Sequence, residues 1–297
     1  MPSTLFTAPP EWHWLIVLYF FVGGLAGGCY FLAVLIDFFG RPSDRPLARL
    51  GYLVALPAVA VSTVLLMIDL GQPLRFWHML LQSERGVPMI KPWSPMSVGA
   101  WALLLFGVVT FISFLAALSG TDRPRRPTLA FLRPPSPVGT VVALLGGLLA
   151  FFVAGYTGVL LAVTNRPIWS DTNLLGLVFL ISAASSSAAL LVLLGYRRTA
   201  AVHGLHALER FDTWLLVLEL VALIALVASL GSLARLFLNA WGALLVIGVV
   251  GLGILVPLVM RMRPTRLARF GGPASAVLVL IGSFLLRVVI VLAAQGV

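Results

Sequence analysis

Charged residues and cysteines are what this 297-residue sequence has little of. Asp, Glu, Lys and Arg make up 10% of it against 60% hydrophobic residues, which excludes an ordinary soluble domain. Cys29 stands alone, so the chain has neither an intramolecular disulfide nor a cysteine-ligated Fe–S cluster held wholly within itself. Short segments of alternating hydrophobicity are missing, and with them a β-barrel. The stretch ahead of the first apolar run is short and has no basic n-region, so no cleavable signal peptide is expected. His13, His78, His203 and His206 lie at a span start or in connections. None has a partner at similar depth in another span, which argues against a transmembrane haem on paired imidazoles, and no pair supports a zinc site.

What the sequence does hold is eight apolar runs of membrane-crossing length, at about 14–36, 51–70, 96–118, 139–164, 174–195, 212–230, 240–260 and 273–294. The expected fold is all-α, a polytopic membrane protein of eight transmembrane helices forming a single membrane domain over 1–297. No residue-level repeat is visible, but the even count suits two four-helix bundles.

The formal charge of +10 sits in short connections, where it reads as a topology signal and not as a nucleic-acid site. One set of connections holds Arg41, Arg45, Arg49, Arg123, Arg125, Arg126, Arg133, Arg197, Arg198, Arg210, Arg261, Arg263, Arg266 and Arg269. The opposite set holds only Arg75, Arg85, Lys91, Arg166 and Arg235. The positive-inside rule makes the first set cytoplasmic, so both termini face outward. The inner loops are too short for a folded domain. The long outer connection, GQPLRFWHMLLQSERGVPMIKPWSP, has tryptophans and apolar residues that predict a structured segment against the interface or a partner.

The stretch at 155–171, GYTGVLLAVTNRPIWSD, is the richest in chemistry. Tyr156 lies in an apolar run roughly 12 Å below its outer end, and hydrocarbon gives its hydroxyl no partner. It reads either as a helix-packing tyrosine followed by an interfacial Trp169, or as a polar handle aimed at a ligand. Asp69 reads either as an interfacial acid beside a helix stop at Gly71 and Pro73, or as a carboxylate on the same face as His13 and Asp171. Glu219 and Arg287 are intramembrane charges, functional suspects by their position. Their heights differ by roughly 10 Å, so a direct ion pair needs a stretched arginine or bridging waters. Small-residue packing is the simpler account of Ser182, Ser185, Ser186 and Ser187, and of Gly23-Gly24-Leu25-Ala26-Gly27-Gly28, which has neither a preceding strand nor a following Lys-Ser/Thr.

Taken together, WHWLIVLYFFVGGLAGGCYF, DLGQPLRFWHML, SPMSVGAW, GYTGVLLAVTNRPIWSD and FLISAASS resemble the NrfD/PsrC family, the integral membrane subunits of polysulfide-reductase-like complexes. The match reaches across the first five spans; the last three agree mainly in hydropathy. The resemblance implies a quinone or quinol site near the outer face and no haem or Fe–S cluster in this chain. It also implies a ferredoxin-like partner with 4Fe–4S clusters and an extracytoplasmic molybdopterin subunit. Carried over by motif, His13 and Tyr156 contact the quinone oxygens and act catalytically, with Asp69, Thr157 and Asp171 as further quinone-binding positions. Glu219 and Arg287 are candidates for proton transfer.

The resulting expectation is a subunit of the bacterial or archaeal cytoplasmic membrane that oxidises a quinol, menaquinol by preference, and passes electrons to the Fe–S partner. The reverse reaction, a proton or ion transporter, and a passive anchor in the bilayer are the competing readings.

Overall fold

A computed structural model describes residues 12–119, 127–196, 202–262 and 268–295. Eight helices long and apolar enough to cross a membrane run through them. They are α1 (Trp14–Phe39), α2 (Arg45–Asp69), α3 (Pro95–Leu118), α4 (Pro137–Ala162), α5 (Leu175–Gly195), α6 (Val202–Ser229), α7 (Ala240–Met262) and α8 (Ala268–Ala293). Of the arginines in the topology argument, Arg123, Arg125, Arg126, Arg197, Arg198, Arg263 and Arg266 lie outside the described residues.

Local chemistry sets several helix starts. Pro95 and Pro137 occupy first helical positions, and the hydroxyls of Ser94 and Ser136 accept the backbone N–H groups of Ser97 and Gly139. Asn239 does the same for α7 through Trp241 and Gly242. The middle of α7, Leu244–Leu255, winds as a π-helix.

The helices form two four-helix bundles. In the first, α1 packs on α2, α2 on α3, α3 on α4 and α4 back on α1; in the second, α5 lies between α6 and α8, and α7 lies against α8. The bundles meet where α1 and α4 pack on α5. Glycines allow this approach. A β-carbon at Gly28 would lie 2.7 Å from the Ala183 carbonyl oxygen on α5, and one at Gly27 would lie 2.6 Å from that of Ala150 on α4. The glycine run of α1 is thus a two-sided packing surface.

Two connections on the same face are structured. In the 70–94 connection, a 3-10 helix, Pro73–Met79, precedes a hairpin in which Leu81–Gln82 pairs antiparallel with Val87–Pro88. The connection between α4 and α5 folds inward. Ile168 and Trp169 are wholly buried. The Trp169 indole stacks on Trp12 at 5.1 Å and donates its N–H to the Ile290 carbonyl at 2.7 Å. Trp169 is therefore a core residue joining the segment just ahead of α1, this connection and the last helix, and not the interfacial tryptophan that its place after a span suggested.

Candidate functional site

Tyr156 faces the interior of the first bundle from α4 and is 8% exposed. Its hydroxyl donates to the Pro95 carbonyl at the start of α3, at 2.6 Å. A β-carbon at Gly99 would overlap the Tyr156 ring, so the absence of a side chain one turn into α3 makes room for it. Phe152 stacks on the same ring at 5.5 Å. The hydrogen of Tyr156 is committed, while its oxygen keeps acceptor capacity.

Further polar groups lie on the other helices of that bundle. Tyr19 on α1 is buried and within electrostatic reach of Tyr156. Ser62 on α2 is fully buried, and its hydroxyl is without a hydrogen-bond partner among the described residues. His13 is exposed at the N-cap position of α1, and its imidazole makes no capping bond. Asp69, half-buried at the end of α2, interacts electrostatically with His13. The fold thus brings His13 and Asp69 together at the rim and sets Tyr156 in the interior of the same bundle.

Thr157 and Asp171 have local partners. The Thr157 hydroxyl donates to Ala154 in its own helix at 3.0 Å. The exposed Asp171 carboxylate accepts the Ile168 N–H at 3.0 Å. Ile168 has φ 71°, a left-handed conformation that a β-branched residue seldom adopts. Asp171 therefore holds the turn that drives Ile168 and Trp169 into the core.

A separate polar cluster runs through the second bundle. The Arg287 guanidinium, fully buried on α8, donates to the hydroxyls of Ser182 and Ser283 at 3.0 and 2.6 Å and to the Ser283 carbonyl at 2.6 Å. It also lies over the rings of Phe21 and Phe179, at 5.7 and 5.3 Å. Glu219 on α6 interacts with the Ser182 hydroxyl and, through space, with Arg287. Ser182 thus stands between the two charges. Three residues further along α5, Ser185 donates to Asp212 at 2.5 Å, and Asp212 pairs with Arg261 at 2.6 Å. Sequence reasoning missed this pair because Asp212 and Arg261 looked like span ends. Ser182 and Ser185 bind charged groups, whereas Ser186 donates back to its own helix and Ser187 bonds to Leu25 of α1.

Comparison with known proteins adds to this geometry. A family model described as polysulphide reductase, NrfD, matches residues 6–297. The chain belongs to the NrfD family. A polysulfide reductase chain of Wolinella succinogenes is 28% identical over 306 residues, covering 96% of this chain and 94% of that one. Protein NrfD of Escherichia coli is 27% identical over 311 residues, covering 96% and 95%. A selenate reductase subunit of Mesobacillus selenatarsenatis is 25% identical over 214 residues, covering 65% of this chain and 50% of the relative. This NrfD-family protein is accordingly an integral membrane member of a group of reductase subunits.

Proposed function

We propose that this chain is the quinol-reactive membrane subunit of an oxidoreductase complex, binding menaquinol beside Tyr156 and His13 and passing its electrons to an Fe–S partner. The observation that supports this most is the state of the Tyr156 hydroxyl. Its hydrogen points at the Pro95 carbonyl, so its oxygen offers lone pairs to a ligand. Such a lone pair can receive the O–H of a bound quinol, and the reverse reaction would use the same residues.

The remaining residues fit the same chemistry. His13 has no capping duty, and an imidazole takes a proton readily near neutral pH. Asp69 lies within electrostatic reach of His13. Thr157 sits next to Tyr156 with its hydroxyl on its own helix, and Asp171 shapes the connection through Ile168. Oxidation of a quinol releases two protons and two electrons; His13 would take the protons one after the other and pass them to water, and an Fe–S partner would supply the one-electron acceptors.

The arginine distribution supports cytoplasmic placement of the basic connections. Both termini and the 70–94 connection then face outward from a bacterial or archaeal cytoplasmic membrane, with the Fe–S subunit and a molybdopterin subunit beyond it. The whole chain, 1–297, acts as one membrane domain. The names of the relatives from Wolinella and Mesobacillus support membership of a reductase complex. Quinol turnover in membranes carrying the assembled complex tests the site. Tyr156→Phe and His13→Ala should both lower it with assembly intact; unchanged turnover in both would falsify the assignment.

A second reading, proton transfer through the second bundle coupled to this chemistry, is favoured by the run Arg261, Asp212, Ser185, Ser182, Glu219 and Arg287. Glu219→Gln should abolish redox-driven proton uptake in proteoliposomes while quinol turnover continues. Proton uptake equal to that of the unaltered protein would exclude Glu219 from any such path.

A further inference from the structure

Between α3 and α4, under the 70–94 connection, lies a cleft of about 600 Å³. Its walls include Trp101 and Leu105 of α3 and Leu148, Leu149 and Phe152 of α4, and the exposed Lys91 is among its lining residues. Leu105 and Leu148 are exposed, so the cleft opens sideways toward the hydrocarbon. Counting from Pro95 to Leu105, its depth is roughly 15 Å, about half the hydrocarbon core of a bilayer. That is the length of one leaflet.

The roof of this cleft is pinned. The Trp101 indole and the Ser97 hydroxyl both donate to the Met89 carbonyl at 3.1 Å, and the Lys91 N–H donates to Ser97 at 3.1 Å. These bonds use the polar groups of the cleft other than the Lys91 ammonium. Lys91 is the only lysine in the sequence, is exposed, and makes no ion pair among the described residues. Lys91 is thus the one charged residue among the lining residues of an otherwise apolar cleft.

We propose that this cleft is a specific binding site for an anionic phospholipid, its phosphate on the Lys91 ammonium and one acyl tail along Trp101, Leu149 and Phe152. Charge complementarity selects this occupant. A quinone headgroup would find no unspent hydroxyl or indole donor here, whereas a lipid phosphate needs only the ammonium. Phe152 also stacks on Tyr156. A bound acyl tail thus supports the ring that supports Tyr156. The lipid site is independent of the quinol reading and stands or falls by lipid binding alone.

Trp101 provides the readout. The full-length protein is reconstituted with phosphatidylglycerol or phosphatidylcholine brominated on the acyl tail, and the Trp101 component is isolated by difference against Trp101→Phe. Brominated phosphatidylglycerol should quench that component at about fivefold lower mole fraction than brominated phosphatidylcholine, the effect of one basic residue at a membrane surface. Lys91→Gln should remove the preference and Lys91→Arg should keep it; both leave the backbone bond to Ser97 in place. Unlabelled phosphatidylglycerol should relieve the quenching. Equal quenching by the two lipids, a preference that survives Lys91→Gln, or no quenching of the Trp101 component overturns the proposal. So does stronger relief by an isoprenoid alcohol than by phosphatidylglycerol, which would assign the cleft to a quinol tail.

Discussion

Tyr156 donates its hydroxyl to the Pro95 carbonyl across 2.6 Å, joining α4 to the first residue of α3. Removing the oxygen with Tyr156→Phe separates two effects. The lost bond should cost stability about 1 kcal/mol, a small change in thermal midpoint. The lost acceptor should cost quinol oxidation about tenfold in kcat/KM, equivalent to about 1.4 kcal/mol in the transition state. Parallel measurement of unfolding in detergent and quinol turnover checks both. A variant that loses stability and keeps turnover would make Tyr156 a packing residue.

Gly99 offers an independent approach to the same oxygen. A β-carbon there overlaps the Tyr156 ring, so Gly99→Ala must turn the tyrosine or part the two helices. Turnover should fall at least as far as in Tyr156→Phe, although Tyr156 is still present. Because both changes act through one group, the double variant should be no slower than the slower single variant. Multiplicative losses in the kinetic comparison would show that Gly99 acts by another route.

Trp169 should prove a stability residue. It is fully buried, and its N–H satisfies a carbonyl of α8. Trp169→Phe strands the Ile290 carbonyl and should cost about 1–3 kcal/mol. Trp169→Ala empties the site as well and should cost about 3–5 kcal/mol. Chemical unfolding in detergent measures both. A loss below about 0.5 kcal/mol in each would be the response of a surface residue and would contradict the packing.

The contrast between Trp169 and Tyr156 shows what sequence can and cannot carry. Apolar runs of membrane length dictate the eight helices because hydrocarbon leaves the backbone no other way to satisfy itself. The small residues of Gly23–Gly28 indicate close helix contact, and the contact is there on two sides of α1. Tyr156 and His13 stand out because polar groups are costly or conspicuous where they lie. The partner of Tyr156, in contrast, is a backbone carbonyl 61 residues away, and a carbonyl has no sequence signature. Trp169 follows a span and precedes an acid, a pattern shared by interfacial tryptophans; only the turn held by Asp171 sends it inward. Ser182 and Ser185 look like packing serines until α6 and α8 bring charges against them.

Asp212 and Arg261 belong to this hidden class, and a double-variant cycle exposes their role. The Asp212 carboxylate has no exposure, and the Arg261 side chain is 14% exposed. Arg261→Leu alone leaves a buried carboxylate with only Ser185 for support, which should cost about 3–5 kcal/mol. Replacing both, Asp212→Leu with Arg261→Leu, removes the two desolvated charges together and should restore most of that stability. The unfolding free energies of the two single variants and the double variant give the coupling directly. If the pair is structural alone, the recovered double variant keeps both quinol turnover and redox-driven proton uptake. If Asp212 passes protons toward Ser185 and Glu219, the same double variant is stable and turns over quinol without proton uptake. The restored fold makes the distinction decisive, because neither result can then be ascribed to unfolding.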